Sequence, residues 1–418
     1  MPADIGARVG RLGDVGRVLV RGVLDTNPVP REWDHVTKVD PEEAKKLPLL
    51  FPVWLQHTDA VSVGGSADVN AGNTETTFDF LAPLDLAVCH EPSGARHVTN
   101  GTRERAELML IPEVLNGDSE ALVGELGAAV EYVREEMAPE LIARKAWWLP
   151  SPVADRLADL ATSYMLSDAA FEAYIVQNPD SAAARESGVT PDDVLSPEEA
   201  KRRAMAADRH LSSEILYLEY SGTFGGEEAL ETLRQFDGSL TRSRIWYGGG
   251  LSNAENVRKV REAGADTVVV GDAFHRVADE EAALLDEAER TFDADTATEE
   301  IREFVADRVD ADSAGPKFLS TVPGVGDATA LAREYSTQTV EAWLDLRARA
   351  TQTGSGGGPI VDLQRTTFKR HLAPVLDGAG DAGDDYAATL ASAALSGRAN
   401  GSESTDEGVH LSTSLLDE

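Results

Sequence analysis

Short apolar runs of four to six residues recur between Trp33 and about Arg276, each closed by polar or glycine-rich positions and followed by a helix-forming stretch. The length of the runs and their flanks read them as buried strands. Eight are predicted, at 35–39, 60–63, 85–89, 108–111, 174–177, 215–220, 244–247 and 267–270. Strands alternating with helices imply a parallel sheet of α/β class, and eight of them imply a closed barrel. The first helix is expected to begin at 41–46, because proline suits the first helical position, where its missing N–H leaves no bond unmade. Residues 116–171 exceed one crossover helix, so this stretch, with Trp147 and Trp148 inside it, is expected to hold an apolar helical insertion.

The pattern changes at both flanks. Residues 1–30 read as an N-terminal extension with one apolar patch at 18–24, and residues 31–295 as the barrel, its last helix running through 277–291. A charged helical stretch at 286–309 leads into a mainly helical accessory region at 296–376. Within it, residues 320–335 resemble the hairpin of a helix-hairpin-helix. Their acidic surroundings favour packing or protein contact over phosphate binding. Gly354-Ser-Gly-Gly-Gly358 reads as a flexible linker, and 377–418, rich in Gly, Ala, Asp and Ser, as a disordered tail.

Charge narrows the function classes. Asp and Glu number 73 against 38 Lys and Arg, a formal net charge of −35 spread over the whole chain. Such a surface repels itself at low salt and is tolerated when screened, which fits the salt-loaded cytoplasm of a halophile and excludes nucleic acid as a general partner. No apolar run approaches the roughly 20 residues of a transmembrane segment, and a single cysteine, Cys89, rules out an internal disulfide or a thiolate metal cluster. A cytoplasmic protein is expected. His35, His57, His90 and His97 lack a ligand spacing and read as structural or surface residues.

The chemistry concentrates at strand ends. Tyr217-Leu-Glu-Tyr-Ser-Gly222, Tyr247-Gly-Gly-Gly250 and Val268-Val-Val-Gly271-Asp272 are three successive strands ending in glycine. Glycine lets backbone N–H groups approach a ligand, and the last βα loops of a barrel are where phosphate cups sit. Asp40 stands at the end of the first strand and shares its parity with Lys38, so both can point into the mouth. A carboxylate there can hold Mg2+, which takes few protein ligands and completes its shell with substrate phosphate oxygens. Gly64-Gly65-Ser66 closes the second strand.

Taken together, Val36-Thr-Lys-Val-Asp-Pro41, Thr58-Asp-Ala-Val-Ser-Val-Gly-Gly-Ser66 and the three glycine ends resemble the geranylgeranylglyceryl phosphate / heptaprenylglyceryl phosphate synthase family. Ile111-Pro-Glu-Val-Leu-Asn116 and Tyr174-Ile-Val-Gln-Asn-Pro179 look like further blocks of it, in the same order. The form Tyr-Leu-Glu-Tyr-Ser-Gly is similar to the group I branch. The resemblance covers about Trp33 to Arg276 and implies a modified TIM (β/α)8 barrel. It also implies an activity: joining sn-glycerol 1-phosphate to a prenyl diphosphate, geranylgeranyl diphosphate in an archaeal halophile, through an ether bond. On that resemblance Lys38, Tyr217, Leu218, Glu219, Tyr220, Ser221, Gly222, Gly250, Gly271 and Asp272 bind glycerol phosphate. Asp40 and Ser66 serve Mg2+, and Glu219 orients or deprotonates the attacking hydroxyl. Trp147, Trp148 and Tyr174 are candidates for the wall of a prenyl groove, or for core.

Two departures stand out. Asp272 replaces the Asn usual in the family, placing a carboxylate beside the expected phosphate, and residues 68–77 are longer and more polar than the family pattern. Two other readings stay open at this stage: a different phosphate-binding barrel of the phosphosugar isomerase type, and a barrel without catalysis that serves as a scaffold. A homo-oligomer is compatible with either. No residue assigned to chemistry lies beyond Asp272, so a chain ending near Ala297 is expected to keep the whole phosphate cup.

Overall fold

A computed structural model describes residues 25–353 apart from 43, 46, 66–68, 83, 147 and 149–150, together with 411–412. The apolar patch at 18–24, Ser66, Trp147, the glycine linker and nearly all of the expected tail lie outside the described residues. The eight strands close into one parallel barrel. They are β1 (His35–Val39), β2 (Ala60–Val63), β3 (Ala87–His90), β4 (Leu108–Val114), β5 (Ala169–Val176), β6 (Ile215–Glu219), β7 (Arg244–Gly248) and β8 (Thr267–Val270). β8 pairs back on β1, with Val36 opposite Val269. No helix among the described residues is long and apolar enough to cross a membrane.

Alternation along the strands sorts the barrel into two apolar layers. Val36, Ala60, Cys89, Leu110, Tyr174 and Trp246 fill the interior. Val39, Val61, Ile175, Leu216, Tyr247 and Val270 point outward and pack under the helices. Parity therefore decides which residues can reach the mouth. Lys38 pairs with Ser62, Tyr174 with Tyr217, and Val176 with Glu219, so their side chains stand on the inner face.

Two expectations change. Among the described residues of 41–46 none is helical: Ala44–Lys45 is a short strand paired antiparallel with Leu411–Ser412, and the next helix is Phe51–Leu55, five residues long. Pro48 disfavours helical geometry in the residue before it. β5 begins five residues before the predicted start at 174, because Ala169–Val176 pairs along its length with β4. The polar segment at 68–77 runs into the helix Ala71–Leu81, capped by the Asn70 side chain accepting from the Asn73 N–H at 2.9 Å. The insertion at 116–171 is helical as expected, with Glu125–Tyr132, Ala138–Ala146 and Ser151–Ser167.

Residues 25–33 seal the N-terminal end of the barrel. The Asn27 side chain donates to the carbonyls of Glu214 (2.8 Å) and Arg242 (2.9 Å), and Asp25 pairs with Arg244 at 2.5 Å. The last helices, Thr298–Ala306, Ala314–Thr321 and Ala328–Thr353, share the barrel's outer core. Phe318, Leu319, Val340 and Trp343 are fully buried in it. His35, at the start of β1, is buried between Thr58 and Thr321, 2.9 and 3.1 Å from their hydroxyls. The Trp54 ring meets Tyr335 edge-on at 5.3 Å, and Tyr335 also hydrogen-bonds His57 at 2.6 Å. Thr321 and Tyr335, at the two ends of the segment 320–335, thus pack against the barrel.

One buried acid in this junction gives a stability prediction. Glu281, in the helix Asp272–Thr291, accepts the Leu49 N–H at 2.5 Å. Burial pushes its pKa up to about 8. A folded-state pKa raised above the unfolded value means the folded chain binds the extra proton. Glu281's contribution is therefore fully present below about 4.5 and is lost as pH rises through about 8. Glu281→Gln keeps an acceptor for Leu49 without the charge. It is expected to raise the melting temperature at pH 8.5, by a stability gain on the order of a few kcal/mol, and to change it little at pH 5. Parallel melting-temperature profiles for the two proteins across that range would contradict the assignment.

Candidate active site

A cavity of about 1030 Å3 opens at the C-terminal mouth of the barrel. One end is polar and is built from strand ends: Lys38, Asp40, Glu91, Glu219, Ser221 and Asp272. The other end is apolar and runs under the helical insertion, past Val98, Met109, Ile111, Val133, Met137 and Met165. Met137, Met165 and Val98 form a small cluster of their own, with Met109 and Tyr132 packed on it. Flexible thioether side chains suit a surface that must fit a long aliphatic ligand.

The polar end offers backbone groups of the kind that suit an anion. The loop after β7 turns at Gly250, where φ is +50° and an added Cβ would lie 2.6 Å from the Thr223 carbonyl carbon. Only glycine fits there, and it brings the backbone of 248–250 against the cavity. Gly271 then opens the 20-residue helix Asp272–Thr291, whose N-terminus faces the same space. Unpaired N–H groups and the helix dipole favour an anion at such a point. Asp272 is the first residue of that helix, where a carboxylate is itself favoured by the dipole. That gives a physical reason for a side chain that departs from the family pattern.

Below the cup lies a buried charge cluster. The Lys38 ammonium donates to Glu91 Oε1 at 2.7 Å. The Tyr174 hydroxyl donates to the same oxygen at 2.6 Å, and the Ser62 hydroxyl to Oε2 at 2.9 Å. Burial works against the Lys38 charge, but Glu91, Glu219 and Asp40 outweigh it and push the ammonium's pKa above its usual value. Burial would likewise raise the Glu91 pKa, but Lys38 and the three hydrogen bonds hold it below the ordinary carboxylate range. Glu219 accepts from the Ser221 N–H at 3.0 Å and from the Ser221 hydroxyl. Burial raises its pKa, and Lys38 only partly offsets that. A carboxylate so placed is a stronger base than a free one.

Asp40 is one-third exposed on the cavity wall, with the His275 ring 3.7 Å away. Among the described residues no cluster of three His, Cys, Asp or Glu could cage a metal. A lone carboxylate beside an anion receptor fits Mg2+, which would draw its other ligands from water and substrate oxygens.

The structure brings Lys38, Asp40, Tyr217, Glu219, Ser221, Gly222, Gly250, Gly271 and Asp272 to one cavity. Leu218 and Tyr220 do not reach it: both side chains point into the outer core, leaving only their backbone near the site. Trp148 is 69% exposed and no part of the groove wall. Tyr174 lines the cavity, stacked on Tyr217 at 4.3 Å between centroids, but at the polar end. Sequence reasoning missed Glu91. Its signal was an acid at the end of an apolar run, the kind of position that singled out Asp40. The methionine groove carried no signal beyond helical periodicity.

Comparisons with known proteins bear on this site. The sequence pattern of the PcrB family matches residues 29–289. A geranylgeranylglyceryl phosphate synthase of Haloquadratum walsbyi is 31% identical over 245 residues, 58% of this chain and 88% of that protein. A heptaprenylglyceryl phosphate synthase of Bacillus cereus is 29% identical over 247 residues, 58% of this chain and 90% of that one. Among solved structures, (S)-3-O-geranylgeranylglyceryl phosphate synthase from Thermoplasma acidophilum, in complex with substrate sn-glycerol-1-phosphate, aligns with 22% identity and a TM-score of 0.43. That alignment covers 58% of this chain and 86% of that one. The barrel assignment rests on the closed sheet itself rather than on that score.

Proposed function

The chain belongs to the PcrB family and is a prenyltransferase, and we propose that it joins the 3-hydroxyl of sn-glycerol 1-phosphate to geranylgeranyl diphosphate. The products are geranylgeranylglyceryl phosphate and diphosphate, the first ether-forming step of an archaeal phospholipid. The observation that carries this reading is one continuous cavity with an anion receptor at one end and an apolar, methionine-lined groove at the other. A phosphosugar isomerase has no use for the groove. A scaffold without catalysis has no use for a buried Lys38, Glu91 and Glu219 cluster, which is costly to hold.

In this mechanism the glycerol phosphate sits in the cup formed by Gly222, Gly250 and the helix N-terminus at Gly271 and Asp272. Lys38 neutralises its charge. The groove aligns the prenyl tail so that its allylic carbon meets the glycerol hydroxyl, which converts an encounter into a positioned reaction. The hydroxyl oxygen forms the new C–O bond, the bond from that carbon to diphosphate breaks, and Glu219 receives the hydroxyl proton. Asp40 would hold Mg2+, and the ion would supply charge neutralisation on the leaving diphosphate. The test is mass spectrometry of products from sn-glycerol 1-phosphate and a mixture of C15, C20 and longer diphosphates, with and without Mg2+. The expected product is the C20 ether, formed only with the metal. No ether from any donor would overturn the assignment, and undiminished turnover in a strong chelator would overturn the metal's part in it.

A further inference from the structure

We infer that Glu91 is a positioning residue, whose carboxylate fixes the Lys38 ammonium so that it is aimed at the glycerol phosphate. The inference rests on the proposed function of this site and assigns a role to a residue that the family motifs quoted above do not include. Lysine is a point charge on a flexible four-carbon stem, so a lysine that must meet a phosphate in one place needs something to hold it. Glu91 does so from a fixed seat. Its N–H donates to the Val63 carbonyl at 2.9 Å, tying the end of β3 to β2. Both of its oxygens are occupied, Oε1 by Lys38 and Tyr174 and Oε2 by Ser62. Each of those donors is itself anchored. Ser62 is the strand partner of Lys38, and Tyr174 is clamped by its stack on Tyr217.

The neighbouring glycine turn is shaped around the same residue. A Cβ on Gly64 would lie 2.4 Å from the Glu91 carbonyl oxygen, so a side chain there would push Glu91 out of place. Glu91 is 8% exposed and still lines the cavity, so the pair it forms is buried yet adjacent to substrate. Removing one member of such a pair leaves the other charge uncompensated and free to move. Glu172 provides the contrast. It is a further interior carboxyl, fully buried, with no hydrogen-bond partner for either oxygen among the described residues, and it lies outside the cavity lining.

The test is steady-state kinetics on the full chain and on Glu91→Gln, Glu91→Asp and Glu172→Gln, varying glycerol 1-phosphate and geranylgeranyl diphosphate separately. Glu91→Gln is expected to raise KM for glycerol 1-phosphate by about 10- to 100-fold, and KM for the diphosphate by no more than about threefold. Glu91→Asp restores the charge and should recover much of the loss. A purely structural role for Glu91 would weaken both substrates alike and would show no rescue by Asp, and either result overturns the inference. Glu172→Gln controls for general disturbance of the interior, and an equal rise in KM for that variant would also overturn it. Should Glu91→Gln not fold, Glu91→Asp decides alone. Its carboxylate is drawn back by one methylene and should raise KM for glycerol 1-phosphate about threefold or more, while two unchanged KM values would refute the role. No ether product from the unsubstituted chain would bring down the proposed function first, and this inference with it.

Discussion

A chain ending at Ala297 is expected to fail to reach a stable native state. The sequence suggested that such a chain keeps the phosphate cup, and by position it does. The difficulty lies at the opposite side of the barrel. Phe318, Leu319, Val340, Trp343 and Leu344 belong to the same apolar core as Val39, Val61 and Val270. Fully burying a side chain of this kind is worth about 1.5–3 kcal/mol. Losing five therefore removes on the order of 10 kcal/mol of gross apolar burial and bares the barrel face that these side chains cover. The cut would also uncover Trp54, whose ring packs 2.8 Å from where a Cβ on Gly315 would sit. It would likewise uncover Phe274, which lies 5.0 Å from the Phe318 ring. Thermal melting followed by circular dichroism, with a dye for exposed apolar surface, gives the answer. A cooperative transition within a few degrees of the full chain would show the last helices to be dispensable.

Glu219→Gln is expected to leave the fold intact and to lower kcat by about 10²–10⁴, the usual range for removing a positioned general base. The amide keeps an acceptor for the Ser221 N–H but cannot take the hydroxyl proton. KM for glycerol 1-phosphate should change little, because Lys38 and the backbone groups proposed to hold the phosphate are untouched. The pH profile supplies an independent check. The base works when deprotonated, so activity falls as pH falls through its pKa, and burial has moved that pKa above the ordinary carboxylate value. The acid limb of kcat/KM should therefore lie higher than for a free carboxylate, and it should disappear in the Gln variant. A loss under about tenfold with the limb unchanged would reduce Glu219 to a hydrogen-bond acceptor.

Local pattern and global fold agree closely at some elements and part at others, for identifiable reasons. β1, β2 and β8 begin and end where their apolar runs do, because each is buried on both faces and bounded by polar or glycine positions. β5 was read five residues short, since Ala169 to Ala173 gain their strand character from pairing with β4 rather than from their own composition. The absent helix at 41–46 failed for a similar reason. A favourable proline at its start was outweighed by pairing, since Ala44–Lys45 form a short strand against Leu411–Ser412.

By itself the sequence determined the barrel, the glycine-ended strands at its mouth, and the candidates Lys38 and Asp40, all from short-range rules: apolar run length, strand parity, and the need for glycine where backbone meets ligand. Glu219 came from the family resemblance. Tertiary structure alone decided three things. It brought Glu91 and Tyr174, distant in sequence, onto one lysine. It built the apolar groove from Met109, Met137 and Met165 on three different elements. And it merged the C-terminal helices with the barrel into a single core. Each of these depends on which residues meet across closed strands and packed helices, and periodicity along a chain carries no record of its partners in space.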